Sequence, residues 1–221
     1  MAKFISNDLL IYISSAGAAP VDTAPSAITK AKPAEVTATT TGLNAGDIAI
    51  VTATGLSEID DNMFPIGPSA PGGDIGSDGT FNLIGSDTSA STGGFQGGSA
   101  KVDVVKSEDL TKICLRELEI GQASTSEIDT STFCAESALP GPSTPGSITF
   151  TGYVDTSSDA YTALKAAADD GQERYVKFVG PDDQYWVGKV VIGDLSWSFP
   201  RGDVVTFTAT GTQALKLEHR F

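Results

Sequence analysis

Histidine occurs once (His219) and cysteine twice (Cys114 and Cys134) in 221 residues. That is too few for a zinc site of the usual Cys/His kind or for a hydrolase built on imidazole. Basic residues are scarce as well: 14 Lys and Arg stand against 28 Asp and Glu, for a formal charge of -14 and a pI near 4.3. Gripping nucleic acid needs clustered cations to neutralise phosphates, so a DNA-gripping protein is excluded. No apolar run approaches the length of a membrane span. The opening MAKFISNDLLIYISSAG has one Lys and an apolar stretch broken by Asn7 and Asp8. It fits a signal peptide poorly and reads better as a strand. The expectation is a protein assembled in the cytoplasm with no membrane partner.

What is present is an apolar share of 40%, enough for a core, with Gly 24 and Pro 11 among short Val- and Thr-bearing runs. That texture predicts a mainly β protein with few helices. A strand over 9–14 runs into the small-residue linker AGAAPVDTAPS, a candidate boundary. From 27 to 103, short β runs (AEVTAT, DIAIVTA, GTFNLIG) alternate with loops dense in Gly, Ser, Pro and Asp, which predicts a small all-β domain with a small core. Residues 1–26 and 104–221 then form the main domain around it. LTKICLRELEIG reads as one extended run. The segment 122–146 is polar and too long for a plain connection within a compact domain. A subunit contact would explain such a length, and so would a disordered excursion.

SITFTGYV alternates as a strand, with Ile148, Phe150 and Tyr153 as its inward candidates. DTSSDAYTALKAAADDG predicts a helix, capped by Ser157 or Ser158, favoured at its start by Asp159 and ended by Gly171 in the left-handed conformation. Tyr161, Leu164 and Ala168 would form its packing stripe. After ERYVKFVG and an acidic turn come a long strand over 184–199, a Pro-Arg-Gly turn, a strand over 203–211 and a last strand, ALKLEHRF. In the long strand Val191, Leu195 and Trp197 alternate with Ile192, Asp194, Ser196 and Ser198. In its neighbour Val205, Phe207 and Ala209 alternate with Thr206, Thr208 and Thr210. One face is expected to be core and the other wet, as on any half-buried antiparallel sheet.

The order of these elements, from the helix through Tyr175-Val176-Lys177-Phe178 to WVGKVVIGDLSWSFPRGDVVTFTATGT, resembles the tail tube (major tail) proteins of phages with long, non-contractile tails. Upstream, Glu127-Ile128-Asp129-Thr130-Ser131-Thr132, Leu139-Pro140-Gly141 and Gly146-Ser147-Ile148 are similar to that family's loop and its return into a strand. The match covers roughly 110–221 and the first strand. Within 27–103, Glu35-Val36-Thr37-Ala38, Thr41-Gly42-Leu43-Asn44-Ala45-Gly46-Asp47 and Gly79-Thr80-Phe81-Asn82-Leu83 are similar to small β-barrel inserts of phage virion proteins, although Thr41 stands where such inserts carry His.

The resemblance implies a β-sandwich or barrel-like subunit with one flanking helix. Such subunits assemble as stacked hexameric rings whose strands join in a continuous inner barrel, in a virion tail that conducts the genome. It also implies partners: further copies of the chain, the tape measure, tail terminator and tail-tip proteins, and double-stranded DNA as passing cargo. Asp194, Ser196, Ser198, Thr206, Thr208 and Thr210 would line the lumen, a wall with no cation to hold DNA. Glu127, Asp129, Thr130 and Glu136 would belong to the loop between rings. Two rival readings are a decoration or receptor-binding protein, and the tube of a sheathed contractile tail.

No catalytic, cofactor or metal site is expected. Phosphate-binding glycine loops and a G-x-S-x-G elbow do not occur. The pairs Asp169-Asp170 and Asp182-Asp183 fall at a helix end and a turn, where Asp serves local backbone bonding. Arg201-Gly202-Asp203 reads as a tight turn. Cys114 and Cys134 are expected either as buried free thiols or as a disulfide formed after release from the cytoplasm.

Overall fold

In a computed structural model the described residues are 9–15, 18–39, 42–69, 75, 79–121, 124–129, 138–155, 157–180 and 184–220. The chain is mainly β. In order come β1 (Leu10–Ser14), β2 (Pro25–Ile28), β3 (Ala34–Ala38), β4 (Ile48–Thr52), β5 (Asn62–Pro68), β6 (Thr80–Leu83), β7 (Lys101–Val105), a 3-10 turn (Ser107–Asp109) and β8 (Leu110–Ile113). These are followed by β9 (Glu117–Ile120), β10 (Ser124–Asp129), β11 (Ala138–Thr144), β12 (Ser147–Tyr153), α1 (Asp159–Asp170), β13 (Glu173–Val179), β14 (Tyr185–Ser198) and β15 (Thr206–Arg220).

The strands form a seven-stranded sheet ordered β8-β1-β13-β14-β15-β12-β9, a six-stranded sheet ordered β2-β3-β6-β5-β4-β7, and a two-stranded ribbon of β10 and β11. The chain divides into two compact units: 1–112 with 175–187 and 218–221, and 113–174 with 188–217.

The first unit holds the six-stranded sheet. Its strands are short, yet their alternate residues converge: Val36, Phe64, Ile66, Phe81, Leu83 and Val102 are all fully buried. The core of this segment is therefore larger than its Gly- and Ser-rich sequence promises, because antiparallel pairing of β3 with β6 and β5 with β6 stacks the few apolar residues of each strand on one side. Asp60 ties the loop between β4 and β5, accepting from the Thr54 amide at 2.7 Å and hydroxyl at 2.6 Å and from the Gly55 amide at 3.1 Å. In the same unit β1 pairs antiparallel with β13, Ile11 opposite Phe178 and Ile13 opposite Val176.

In the second unit β12 lies between β9 and β15, with Phe150 opposite both Leu118 and Ala209. Ile148 and Phe150 point inward as expected, but Tyr153 is 52% exposed and Gly152 takes the inward place. A Cβ on Gly152 would come within 2.7 Å of the Phe207 ring, so a larger inward residue does not fit there. Helix α1 buries Ala160, Leu164 and Ala167, with Tyr161 and Ala168 only half-buried. Leu164 is thus buried as expected, while Ala160 and Ala167 take the places expected of Tyr161 and Ala168. Ser158 is the N-cap residue, but its hydroxyl makes no capping bond, and Ser157 instead donates to Asp155 at 2.6 Å.

Gly171 ends α1 at φ 61°, as the sequence predicts, and a Cβ there would meet no atom within 4 Å. Gly171→Ala is therefore expected to cost only the left-handed backbone penalty, about 1 kcal/mol, read as a lowered midpoint in thermal unfolding.

Three strand assignments differ from the sequence reading. LTKICLRELEIG is two strands, β8 and β9, at opposite ends of the sheet order. The segment 122–146 contains the β10–β11 ribbon. The expected strand over 203–211 and the last strand are one, β15, which passes through Gly211. A Cβ at Gly211 would sit 2.7 Å from the Val191 carbonyl oxygen, so this glycine permits close strand approach where it was expected to end a strand.

Candidate functional site

On β15 the expected alternation is present. Phe207 and Ala209 are buried, Thr206 and Thr208 half-buried and Thr210 exposed. On β14 it ends part-way along. Val190 and Ile192 are buried, Gly193 and Asp194 are both exposed, and beyond them Leu195 is half-buried. Ile192, expected on the wet face, is thus a core residue, and Trp197, expected inward, is 46% exposed. Two consecutive exposed residues, Gly193 and Asp194, end the alternation, and beyond them on this strand only Leu195 is half-buried. Asp194, Ser196 and Ser198 are exposed. The Ser196 hydroxyl donates to the Thr208 carbonyl at 3.3 Å, which brings the two halves of the candidate lumen set together on adjacent strands.

The far end of this strand pair is apolar. Trp197, Phe199 (76% exposed), Val204 and Tyr153 are exposed large hydrophobic residues. Tyr153 stands opposite Thr206, and Val154 donates to the Val205 carbonyl at 3.0 Å, so the end of β12 flanks the β14–β15 turn. Tyr161 supports the patch from α1: its hydroxyl accepts from Trp197 Nε1 at 3.3 Å and its ring lies 5.5 Å from that of Phe207. Arg201-Gly202-Asp203 forms the turn, with Gly202 at φ 79° and the Asp203 carboxylate accepting from the Val204 amide at 2.7 Å. Arg201 is exposed and forms no ion pair among the described residues.

The ribbon pairs Ser124 with Thr144, Glu127 with Pro140, Ile128 with Leu139 and Asp129 with Ala138, and neither strand takes a third partner among the described residues. Glu127 and Asp129 thus lie on β10; Thr130 and Glu136 fall outside the described residues, as do Cys134, Asp182 and Asp183. Cys114 is an exposed free thiol, contrary to the expected burial, because it lies in the turn between β8 and β9. The terminal strands of the seven-stranded sheet are both short. β8 carries exposed Lys112, and β9 carries exposed Glu117 and Glu119.

A polar cluster in the first unit has no local mark in the sequence. The Lys177 side chain from β13 is buried, with Nζ donating to the Gly46 carbonyl at 2.6 Å and the Ser107 hydroxyl at 3.3 Å and lying 4.9 Å from the centre of the Tyr12 ring. Asp47, fully buried, accepts from the Ser107 amide at 2.7 Å and the Asn44 amide at 2.8 Å. Burial pushes the Lys177 ammonium below its usual range, and the Asp47 charge opposes that shift. The cluster joins β13 to the loop before β4 and to the 3-10 turn.

Among the described residues no group of His, Cys, Asp and Glu could hold a metal ion. Asp169 pairs with Lys165 and Asp170 with Arg174, so these carboxylates have structural partners. A cavity of about 350 Å³ beside β5 and β6 is lined by Lys32, Asn82 and Ile84 among others. Its polar groups are engaged within the fold: Asn82 donates to the Pro68 carbonyl, Ser86 bonds Ala34 and Leu83, and Lys32 pairs with Asp87.

The geometry defines a mainly β chain whose notable surfaces are sheet edges, a ribbon and an apolar turn. No family model matches the sequence, and no curated protein does. Among solved structures the chain is similar to a protein of the virion of a native gene transfer agent particle, at 16% identity and TM-score 0.42, over 51% of this chain and 89% of that one. It is also similar to a protein of an extracellular contractile injection system, in its sheath/tube terminator in the extended state, at 15% identity and TM-score 0.42, over 50% and 87%. A third similarity is to the SPP1 tail tube, at 13% identity and TM-score 0.39, over 50% and 68%.

Proposed function

We propose that the chain is a structural subunit that assembles with copies of itself into stacked hexameric rings, the tube of a phage tail. The observation that carries this reading is the seven-stranded sheet, whose terminal strands, β8 with exposed Lys112 and β9 with exposed Glu117 and Glu119, have no further strand partner among the described residues. Free edges are normally covered or blunted, and pairing β8 of one copy with β9 of the next removes both in a closed ring. The ordered sequence resemblance over 110–221 names the assembly that has this form.

In that ring Asp194, Ser196, Ser198, Thr206, Thr208 and Thr210 line the lumen and present DNA with no cation. The β10–β11 ribbon, with Glu127, Asp129, Thr130 and Glu136 in or beside it, reaches the adjoining ring, since an isolated two-stranded ribbon is marginally stable in water without cover. The role is structural and not enzymatic. The tube lies in the virion tail, with tape measure, terminator and tip proteins as partners. Negative-stain microscopy of the purified chain at rising concentration tests the proposal. Rings with a central hole, or tubes, are the expected result; persistent monomers at high concentration, also with tail-tip proteins added, would sink it.

Residues 27–103 act as an outward module on this tube. Their self-contained core supports that reading, and the Lys177 cluster sharpens its test. Deleting 27–102 strips Lys177 of Gly46 and Asp47, so the deletion is made together with Lys177→Met. Tubes that still assemble but reduce adsorption to cells are expected; failed assembly refutes the modular reading.

A further inference from the structure

The six-stranded sheet of the first unit has two poles, and its registers assign each loop to one of them. The chain enters at Val21 and leaves at Val104, whose backbones exchange hydrogen bonds at 2.8 and 2.9 Å, and Ile48 pairs with Val105 beside them. The Gly46 carbonyl that accepts from Lys177 belongs to this attached pole. Thr52 pairs with Lys101 at the other pole, and Ala34 pairs with Leu83 toward it. The antiparallel order therefore gathers the turn 29–33 and the loops 53–61 and 84–100 at the far pole, away from the attachment.

These three segments form one surface. The Thr88 amide donates to the Ala31 carbonyl at 3.1 Å, its hydroxyl to the Thr29 carbonyl at 2.9 Å, and Lys30 Nζ to the Ser91 carbonyl at 3.0 Å. The Gln96 amide donates to the Thr54 carbonyl at 2.8 Å, and the Gly93 backbone lies so close to the Gly55 carbonyl that no Cβ would fit. Loop 84–100 thus ties the other two together. It contains no strand or helix, and connections longer than about 12–15 residues are uncommon unless they are functional or disordered. This one is bonded in place, which favours function. Loops held on a rigid scaffold are where recognition residues concentrate.

The side chains say what such a surface takes. None of the exposed large hydrophobic residues lies in these loops, so the aromatic anchors of a protein interface are missing. Most charges are engaged internally: Lys32 pairs with Asp87, Lys30 bonds Ser91, and Asp60 accepts from Thr54 and Gly55. Exposed Glu58 and Asp61 remain, and they disfavour an anionic partner. Thr92, Gln96 and Ser99 are exposed and supply hydroxyl and amide groups that can both donate and accept. Next to Lys32 and Ser86 of the same loops, the cavity of about 350 Å³ adds an apolar wall of Pro33, Pro68 and Ile84.

We infer that this far pole is a recognition surface for a neutral glycan. Its hydroxyl and amide groups match the hydroxyls of a sugar, and the apolar wall matches a sugar's C–H face. The bonds between loops hold the surface in shape before binding, which lowers the cost of ordering it. The inference rests on the reading of 27–103 as an outward module and names what that module takes.

Affinity electrophoresis of the full chain through gels containing dextran, mannan or galactan tests it. Retardation by at least one of these neutral polymers is expected, and none by anionic hyaluronate. A Cβ at Gly94 or Gly98 would meet no atom within 4 Å, so Gly94→Trp and Gly98→Trp are expected to fold while covering the surface. Each should weaken binding at least tenfold, whereas Ala27→Trp, at an exposed position on β2, should not. Unchanged migration in all of the neutral gels, with or without a shift in hyaluronate, overturns the glycan assignment. Binding that survives both glycine variants but is lost on deleting 27–102 together with Lys177→Met overturns this surface and leaves the outward module standing. Binding that the deletion does not change overturns both.

Discussion

Replacing Asp47 by alanine is expected to lower the unfolding free energy by about 4 kcal/mol, read as a shifted urea midpoint. The residue is fully buried, and its two carboxylate oxygens accept separately from the Ser107 and Asn44 amides. Alanine leaves both amide donors without that acceptor, each at about 1–3 kcal/mol. It also removes the countercharge of Lys177, whose ammonium is buried against Gly46, Ser107 and Tyr12.

The pH dependence gives a second readout. The folded-state pKa of Lys177 lies below its usual 10.5, so between those two values the unfolded chain binds more protons and stability rises with pH. Removing Asp47 lowers the folded pKa further, and the rise should begin at lower pH. Lys177→Met should abolish this contribution. In the double variant the loss should be smaller than the sum of the two single losses, since no unpaired cation remains. Strict additivity would show that Asp47 and Lys177 do not act together.

This cluster also shows where a single sequence stops being legible. Helix α1 and strands β13 and β14 are readable because their information is local: alternation, a glycine at the helix end, turn residues between runs. The buried Asp47 and Lys177 are 130 positions apart, and nothing in either one's sequence neighbourhood points to the other. Nothing local marks Lys177 as buried, because the Val176 and Phe178 that flank it fit a strand whatever the lysine does.

The same limit governs β14 and β15. Gly193 looks like any strand glycine, and only the burial pattern shows that the alternation of Val190 and Ile192 stops there, with Leu195 half-buried beyond it. Gly211 looks like a stop, because its role depends on the Val191 carbonyl of the neighbouring strand. The ribbon was hidden for the opposite reason. Its strands are rich in Ser, Thr and Pro and carry little apolar alternation, so their pairing is visible only as register. Of the candidate assembly residues, exposure at Asp194, Ser196 and Ser198 and alternation at Thr206, Thr208 and Thr210 follow from local pattern. The apolar turn does not, since Trp197 and Phe199 read as core in any alternating strand.

The second large effect is expected at the end of α1, and it is asymmetric. Arg174 is 1% exposed, the largest fully buried side chain among the described residues, and it donates to Asp170 and, at 3.4 Å, to the Glu173 carbonyl. The Asp170 side chain is 30% exposed. Asp170→Ala therefore strands a buried guanidinium without its carboxylate, and about 3–5 kcal/mol should be lost. Arg174→Met removes the buried charge itself and leaves a carboxylate that water can reach, so the loss should be nearer 1 kcal/mol. Equal losses would mean that the pair contributes through packing and not through charge.

Acid titration separates the two contributions to Asp170. The Gln172 amide first, and then Arg174, hold its carboxyl below the usual carboxylate range. A depressed folded pKa gives stability that is present above the unfolded value, near 3.8, and lost as pH falls through the folded one. The wild-type chain should lose this contribution only below about pH 4. In Arg174→Met the acid-dependent part should shrink but persist, because the Gln172 amide still donates at 2.9 Å. In Asp170→Ala it should vanish.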